Sequence, residues 1–222
     1  MKKRKTKPSP QASLIGCMAM LTILAWLAPV LAQSQRYPTA TEMRRLREQF
    51  RQKIQLVERE RAHYFQGRRT QQEKQARESF VRAWSKVDPV IAPFLGSWAT
   101  NENSLNIYPS NTRGRVCLIW TGDEDGKLIL GSVSNGQIRA RDARSAREAH
   151  RSLFFREGKY LGSAVVENNK PKIDLDIPLN SPSPLEAPPR GSIYESIDAQ
   201  QTNEIVRKFN AAGCTDSLPR RR

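Results

Sequence analysis

The chain has 222 residues, 38% of them apolar, enough for one compact domain with an appendage or for two small ones. Its 37 Lys and Arg against 22 Asp and Glu give a net charge of +15, which excludes recognition of cationic partners through overall charge and favours anionic ones. Three cysteines allow at most one bridge.

Residues 1–32 read as an export signal. Lys2, Lys3, Arg4, Lys5 and Lys7 precede an apolar run from Ala12 to Val30, and Val30-Leu31-Ala32 places small side chains three and one before Gln33, as cleavage after Ala32 requires. The run is also about 20 residues long, near the length that spans a bilayer, so an uncleaved signal would anchor the protein. Pro29 favours cleavage because it breaks the helix beside the small-residue site. Leu14-Ile15-Gly16-Cys17 has the residue types of a lipid-attachment box but sits near the start of the apolar run rather than after it. Localisation is therefore expected to be periplasmic or extracellular. Removing the five basic residues of the signal leaves 32 basic against 22 acidic, a charge of +10 on 190 residues.

Residues 33–89 form an expected basic helical hairpin. Thr39-x-x-Glu42 and Thr70-x-x-Glu73 each match the capping box that starts a helix. Met43, Leu46, Phe50, Ile54, Val57 and Tyr64 recur at helical spacing in the first helix, and Gly67 marks the break. Ala76, Phe80, Ala83, Trp84 and Val87 make a second stripe, which Asp88-Pro89 ends. Between Arg36 and Asp88 there are 14 Lys and Arg against 7 Asp and Glu. Arg44, Arg45, Arg47, Arg51, Arg68 and Arg69 are the candidate contacts to an anionic surface, against the plainer reading of a solvated helical face held by ion pairs.

Residues 90–180 switch to strand periodicity. Expected strands are Ser104 to Tyr108, Val116 to Thr121, Lys127 to Ser134, Gln137 to Arg141, Leu153 to Arg156, Tyr160 to Glu167 and Lys172 to Ile177. Turn signals separate most of them: Asp125-Gly126, Asn135-Gly136, Glu157-Gly158 and Asn168-Asn169. Strands joined in this way pair antiparallel, as a meander or small barrel. Asp142 to His150 reads as a short helix. Gly96-x-Trp98, placed just before the strands, resembles the Gly-x-Trp opening of lipocalin-type barrels, in which the Trp closes the barrel floor; the resemblance covers three residues. Trp98 and Trp120 are expected to be packing aromatics.

A Pro-rich connector follows over residues 181–192, and residues 193–222 hold a closing helix, Ser196 to Ala212, with Gly213 as its stop and Arg220-Arg221-Arg222 as a basic tail. In an oxidising compartment Cys117 and Cys214 are expected to bridge and pin this helix to the strands. The expected fold is α+β: an N-terminal helical hairpin, a small antiparallel β meander or barrel, and a C-terminal helix.

Candidate chemistry is sparse. Asp123-Glu124-Asp125-Gly126 has the acidity of a calcium loop, but Thr121 and Ser132 stand where ligating acids belong, so a hairpin turn is the better reading. His63 and His150 lie among charged neighbours and suggest no triad, and Asp174 with Asp176 reads as a solvated strand face. No cofactor, metal or catalytic set is indicated. The expectation is an exported, non-catalytic binding or adaptor module of the cell envelope, meeting an anionic polymer, a lipid surface or another envelope protein through a basic helical face, with nucleic acid ranked behind these. The alternative is a small β-barrel carrier of an apolar ligand, and an enzyme, whose residues would have to converge from distant segments, ranks third.

Overall fold

The structure is a computed structural model and describes residues 36–60, 70–99, 104–121, 126–141, 151–174 and 199–219. The expected signal segment, His63, Tyr64, Gly67, Arg68 and Arg69, the acidic residues 123–125, the expected short helix 142–150, Asp176, the Pro-rich connector and the basic tail lie outside these residues. No helix among the described residues is long and apolar enough to cross a membrane.

Helix α1 spans Ala40–Glu60 and starts where its capping box places it. The Thr39 hydroxyl accepts from the Glu42 N–H at 3.3 Å, and the Glu42 carboxylate accepts from the Thr39 N–H at 2.7 Å. Met43, Leu46, Phe50 and Val57 are buried along one stripe. Helix α2, Gln71–Ser85, opens on the second capping box, at Thr70 and Glu73. Its C-terminus is tied down by Asp88, a buried residue whose carboxylate accepts from the Gly114 N–H at 2.5 Å.

After a short 3-10 turn at Ala92–Phe94 come eight strands: β1 Gly96–Ala99, β2 Ser104–Pro109, β3 Arg115–Thr121, β4 Gly126–Ser134, β5 Gln137–Arg141, β6 Arg151–Glu157, β7 Tyr160–Glu167 and β8 Lys170–Ile173. They form one antiparallel sheet in chain order. Six of the seven expected strands fall where the sequence places them, to within two residues. The last differs at its start: β8 is Lys170–Ile173, beginning two residues before the expected Lys172, while residues 175–177 of the expected strand lie outside the described residues. Asn168 and Asn169 both take left-handed φ, 49° and 60°, a two-residue hairpin turn that forces the chain straight back into pairing with β7. Asn135 and Gly136 do the same between β4 and β5, at 51° and 66°. Strand β1 is an addition. Its four residues are almost wholly buried, so no polar alternation marks it in the sequence.

The sheet curls into a half-barrel. Arg156 of β6 lies over the Trp98 ring of β1, with 5.7 Å from guanidinium carbon to ring centroid, and donates to Pro93 O at 2.8 Å and to Gly158 O at 2.9 Å. Five strand spacings separate β1 from β6, about 24 Å in a flat sheet, so this contact exists only because the sheet bends. The concave side is filled by its own side chains: Trp98, Leu105, Ile107, Leu118 and Ile138 are fully buried together, and Trp84 of α2 packs on them. Trp98 Nε1 donates to Phe94 O at 2.8 Å, which satisfies its polar end.

The helices divide between the two faces. The stripe of α1 packs on Leu153, Phe155, Tyr160 and Ala164 of β6 and β7, on the convex side, with the Phe50 ring edge-on to Phe155 at 5.1 Å. Gly162 permits this approach, because a Cβ there would lie 2.9 Å from both rings. The two N-terminal helices thus bury their stripes against opposite faces of the sheet instead of against each other, since each finds a larger apolar surface there. Helix α3, Ala199–Ala211, covers the convex side of β2 and β3 with Ile205 and Phe209. It ends in a Schellman turn: Gly213 has φ +66°, its N–H donates to Asn210 O at 3.0 Å, and the Cys214 N–H donates to Phe209 O at 3.1 Å. Cys214 is bridged to Cys117, with Cα atoms 6.1 Å apart and a sequence separation of 97.

Candidate anion-binding face

The arginines of α1 have different roles. Arg47 and Arg51 both reach Glu157 at the β6–β7 turn, Arg51 at 3.2 Å, and Arg47 also donates to Arg156 O at 3.1 Å. They fasten the helix to the sheet, and Glu157 holds the Arg51 guanidinium above its usual pKa. Two turns further on, Glu58 pairs with Lys159 at 3.1 Å and accepts from the Tyr160 hydroxyl at 3.0 Å, which together pull its carboxyl below the ordinary value. Arg44 and Arg45 are exposed. Arg44 donates to the Thr41 hydroxyl at 3.4 Å, and Arg45 has no ion pair among the described residues. Arg68 and Arg69 lie outside them.

A denser basic group stands on the sheet itself. Period-two alternation in β5 turns Ile138 and Ala140 into the concave core and sends Arg139 and Arg141 to the convex side. Antiparallel register then sets Arg141 directly opposite Arg151 of β6, and Leu130 of β4 on its other flank. Arg139 is opposite Ser132, which is opposite Arg115 of β3. Four arginines from three strands therefore occupy neighbouring rows in the strip of convex surface between α1 and α3. The Tyr37 ring packs among them, with the guanidinium carbons of Arg139 and Arg151 each 5.6 Å from its centroid and its hydroxyl donating to Ala140 O at 3.2 Å. None of the four arginines has a carboxylate partner among the described residues.

Like charges directly opposite on a sheet repel, whereas elsewhere on this molecule acids neutralise basic side chains: Glu42 pairs with Arg36 at 2.6 Å and Glu167 with Lys172 at 2.5 Å. The strip is therefore a concentrated positive surface able to hold phosphate, sulfate or carboxylate groups through the planar fork of each guanidinium. Among the described residues no three His, Cys, Asp or Glu side chains cluster as metal ligands would.

Sequence reasoning placed the basic surface on the helical segment 33–89, at Arg44, Arg45, Arg47, Arg51, Arg68 and Arg69, and missed Arg115, Arg139, Arg141 and Arg151. Gln137-Ile138-Arg139-Ala140-Arg141 carries the signal for two of them, since its alternation puts both arginines on one face. Their meeting with Arg115 and Arg151 depends on strand register. No protein-family model, curated protein or solved structure matches the chain.

Proposed function

We infer that the protein is an exported, non-catalytic binding module of the cell envelope whose working surface is the convex arginine strip, extended by the outward arginines of α1. The observation that carries this reading is the pair Arg141 and Arg151, set opposite each other with Arg139 and Arg115 in the neighbouring row, none of them paired with a carboxylate among the described residues. Uncompensated repulsion of this kind is relieved by an anionic partner. The N-terminal basic-apolar segment supports export, and the Cys117–Cys214 bridge suits an oxidising compartment. A carrier holding an apolar ligand inside the curl is the weaker reading, because Trp98, Leu105, Ile107 and Leu118 pack on one another in that space.

The test is binding of the full chain to vesicles of phosphatidylglycerol mixed with phosphatidylcholine, followed by sedimentation as salt rises from about 0.1 to about 1 M, which shortens the screening length from about 10 to about 3 Å. Binding should fall steeply with salt and should collapse in the Arg139→Gln, Arg141→Gln, Arg151→Gln triple variant. Binding that ignores salt, or that survives the triple variant, would overturn the reading.

A further inference from the structure

The arginine strip borders a recess that adds an apolar floor to the charge. Between α3 and strands β3 to β5 runs a groove of about 840 Å³, within the usual size of small-molecule sites, about 300 to 1,000 Å³. Its floor is Leu128 and Leu130, its helical wall includes Ile205, and Arg115, Arg141 and Lys208 stand along its rim. Leu130 is 46% exposed although it lies in the middle of a strand, while Cys117, directly opposite it, is 1% exposed under α3. Its other cross-strand neighbour is Arg141. Lys208 is paired with Glu204 of its own helix at 2.6 Å, and Lys127 also lines the groove, whose two bordering guanidinium groups are those of Arg115 and Arg141.

These two features constrain the occupant jointly. A purely anionic ligand would pair with the arginines and leave the leucine floor in water. A purely apolar one would cover the floor and bury Arg115 and Arg141 against nothing that compensates them, at a desolvation cost. We propose that the groove binds a phosphorylated lipid, with its phosphate held by Arg115 and Arg141 and one acyl chain laid along Leu128, Leu130 and Ile205. Two strand spacings and an offset of two residues along the strand, about 12 Å in all, separate the two arginine backbones, a span that two long side chains converge across to present their forks to one phosphate. The chain supplies what a bare anion lacks, since each buried methylene strengthens binding by about fourfold. The inference rests on the convex face being an anion-binding surface and adds to it a single-molecule lipid site.

Calorimetry of the full chain with dodecyl phosphate tests it, with octyl phosphate, inorganic phosphate and octyl glucoside as comparisons. Dodecyl phosphate should bind more tightly than octyl phosphate, and octyl phosphate more tightly than octyl glucoside or inorganic phosphate. The Arg115→Gln, Arg141→Gln double variant should weaken dodecyl phosphate by at least about tenfold, and Leu130→Asn should flatten the dependence on chain length. Inorganic phosphate binding as well as dodecyl phosphate would overturn the lipid site, as would octyl glucoside matching octyl phosphate, or affinities unmoved by these substitutions. The exposed Arg113→Gln serves as a charge-loss control outside the groove and should leave binding unchanged. If dodecyl phosphate fails to bind while salt-sensitive vesicle binding persists, the groove is overturned and the arginine face stands; if both fail, the face falls too.

Discussion

Glu42 shows how a single side chain joins two segments. It closes the capping box of α1 and also takes both Nη groups of Arg36, at 2.6 and 2.8 Å. The Arg36 hydrogen bonds, followed by the Thr39 N–H, draw its carboxyl from the usual 4.5 down to about 2. A carboxyl with a depressed folded-state pKa stabilises the fold above its unfolded value, and that stabilisation is lost as pH falls through the folded one. Glu42→Gln should therefore be less stable than the parent at neutral pH, and the gap should close between about pH 4.5 and pH 2 in urea unfolding followed at stepped pH. A gap independent of pH would mean that the ionised carboxylate contributes nothing. Gly213 makes a different kind of requirement. Its φ of +66° is left-handed, and a Cβ there would meet Asn111 at 2.3 Å, whereas Gly136, also at +66°, has open space around it. Gly136→Ala should cost about 1 kcal/mol from backbone strain alone. Gly213→Ala should cost about 2 to 3 kcal/mol, because the clash adds to the strain. Equal midpoints in urea would show that Asn111 yields freely.

At the level of elements, what could be read in the sequence follows how local each determinant is. Both capping boxes, the Asn-Gly and Asn-Asn turns and the Gly213 stop are set within four or five residues, and all are present in the structure. The strands from β2 to β7 were legible because one of their faces alternates or their ends carry turn residues. Strand β1 was not, because Gly96, Ser97 and Trp98 are buried on both sides. The amphipathic stripes of α1 and α2 were correctly read as apolar, but a stripe names no partner. Only the folded sheet shows that Phe50 seeks Phe155 on the convex side and Trp84 the concave core. Helix α3 depends on a longer link. It rests on Tyr108, Cys117 and Ile119 through Ile205 and Phe209, with Phe209 edge-on to Tyr108 at 5.0 Å. The bridge from Cys214 closes a loop of 97 residues, worth up to about 4 to 5 kcal/mol in the chain-entropy model. The Cys117→Ala, Cys214→Ala variant should lose about 2 to 5 kcal/mol in urea unfolding. Hydrogen exchange in α3 should rise more than in α1, whose contacts lie on the far end of the sheet. Equal loss of protection in both helices would mean that the bridge stabilises the whole sheet and not α3 in particular.

On the scale of the whole molecule, the curl decides which charges face water and which do not. Bending brings the inward side chains of β1 and β6 together, fills the concave side and spreads the convex one, so the arginines of β5 stand outward between two helices while Arg156 is drawn in. Arg156 is half-buried, and burial lowers its pKa from the usual arginine value; its Nε has no hydrogen-bond partner among the described residues. Against that cost stand the fork to Pro93 O and Gly158 O and the face of Trp98. Charge-assisted hydrogen bonds are worth about 1.5 to 3 kcal/mol each and the ring contact about 0.5 to 2, while desolvation of a half-exposed cation offsets part of that sum. The balance favours the latch, so Arg156→Met should lower stability by about 1 to 3 kcal/mol in urea unfolding. Arg156→Lys should recover little of it, because a single ammonium cannot span both carbonyls. The alternative, that apolar packing alone bends the sheet, predicts a methionine variant as stable as the parent, since Met would fill the same space and remove a buried charge. The parent protein and these two variants therefore separate a sheet that is held curled by one cation from a sheet curled by its core.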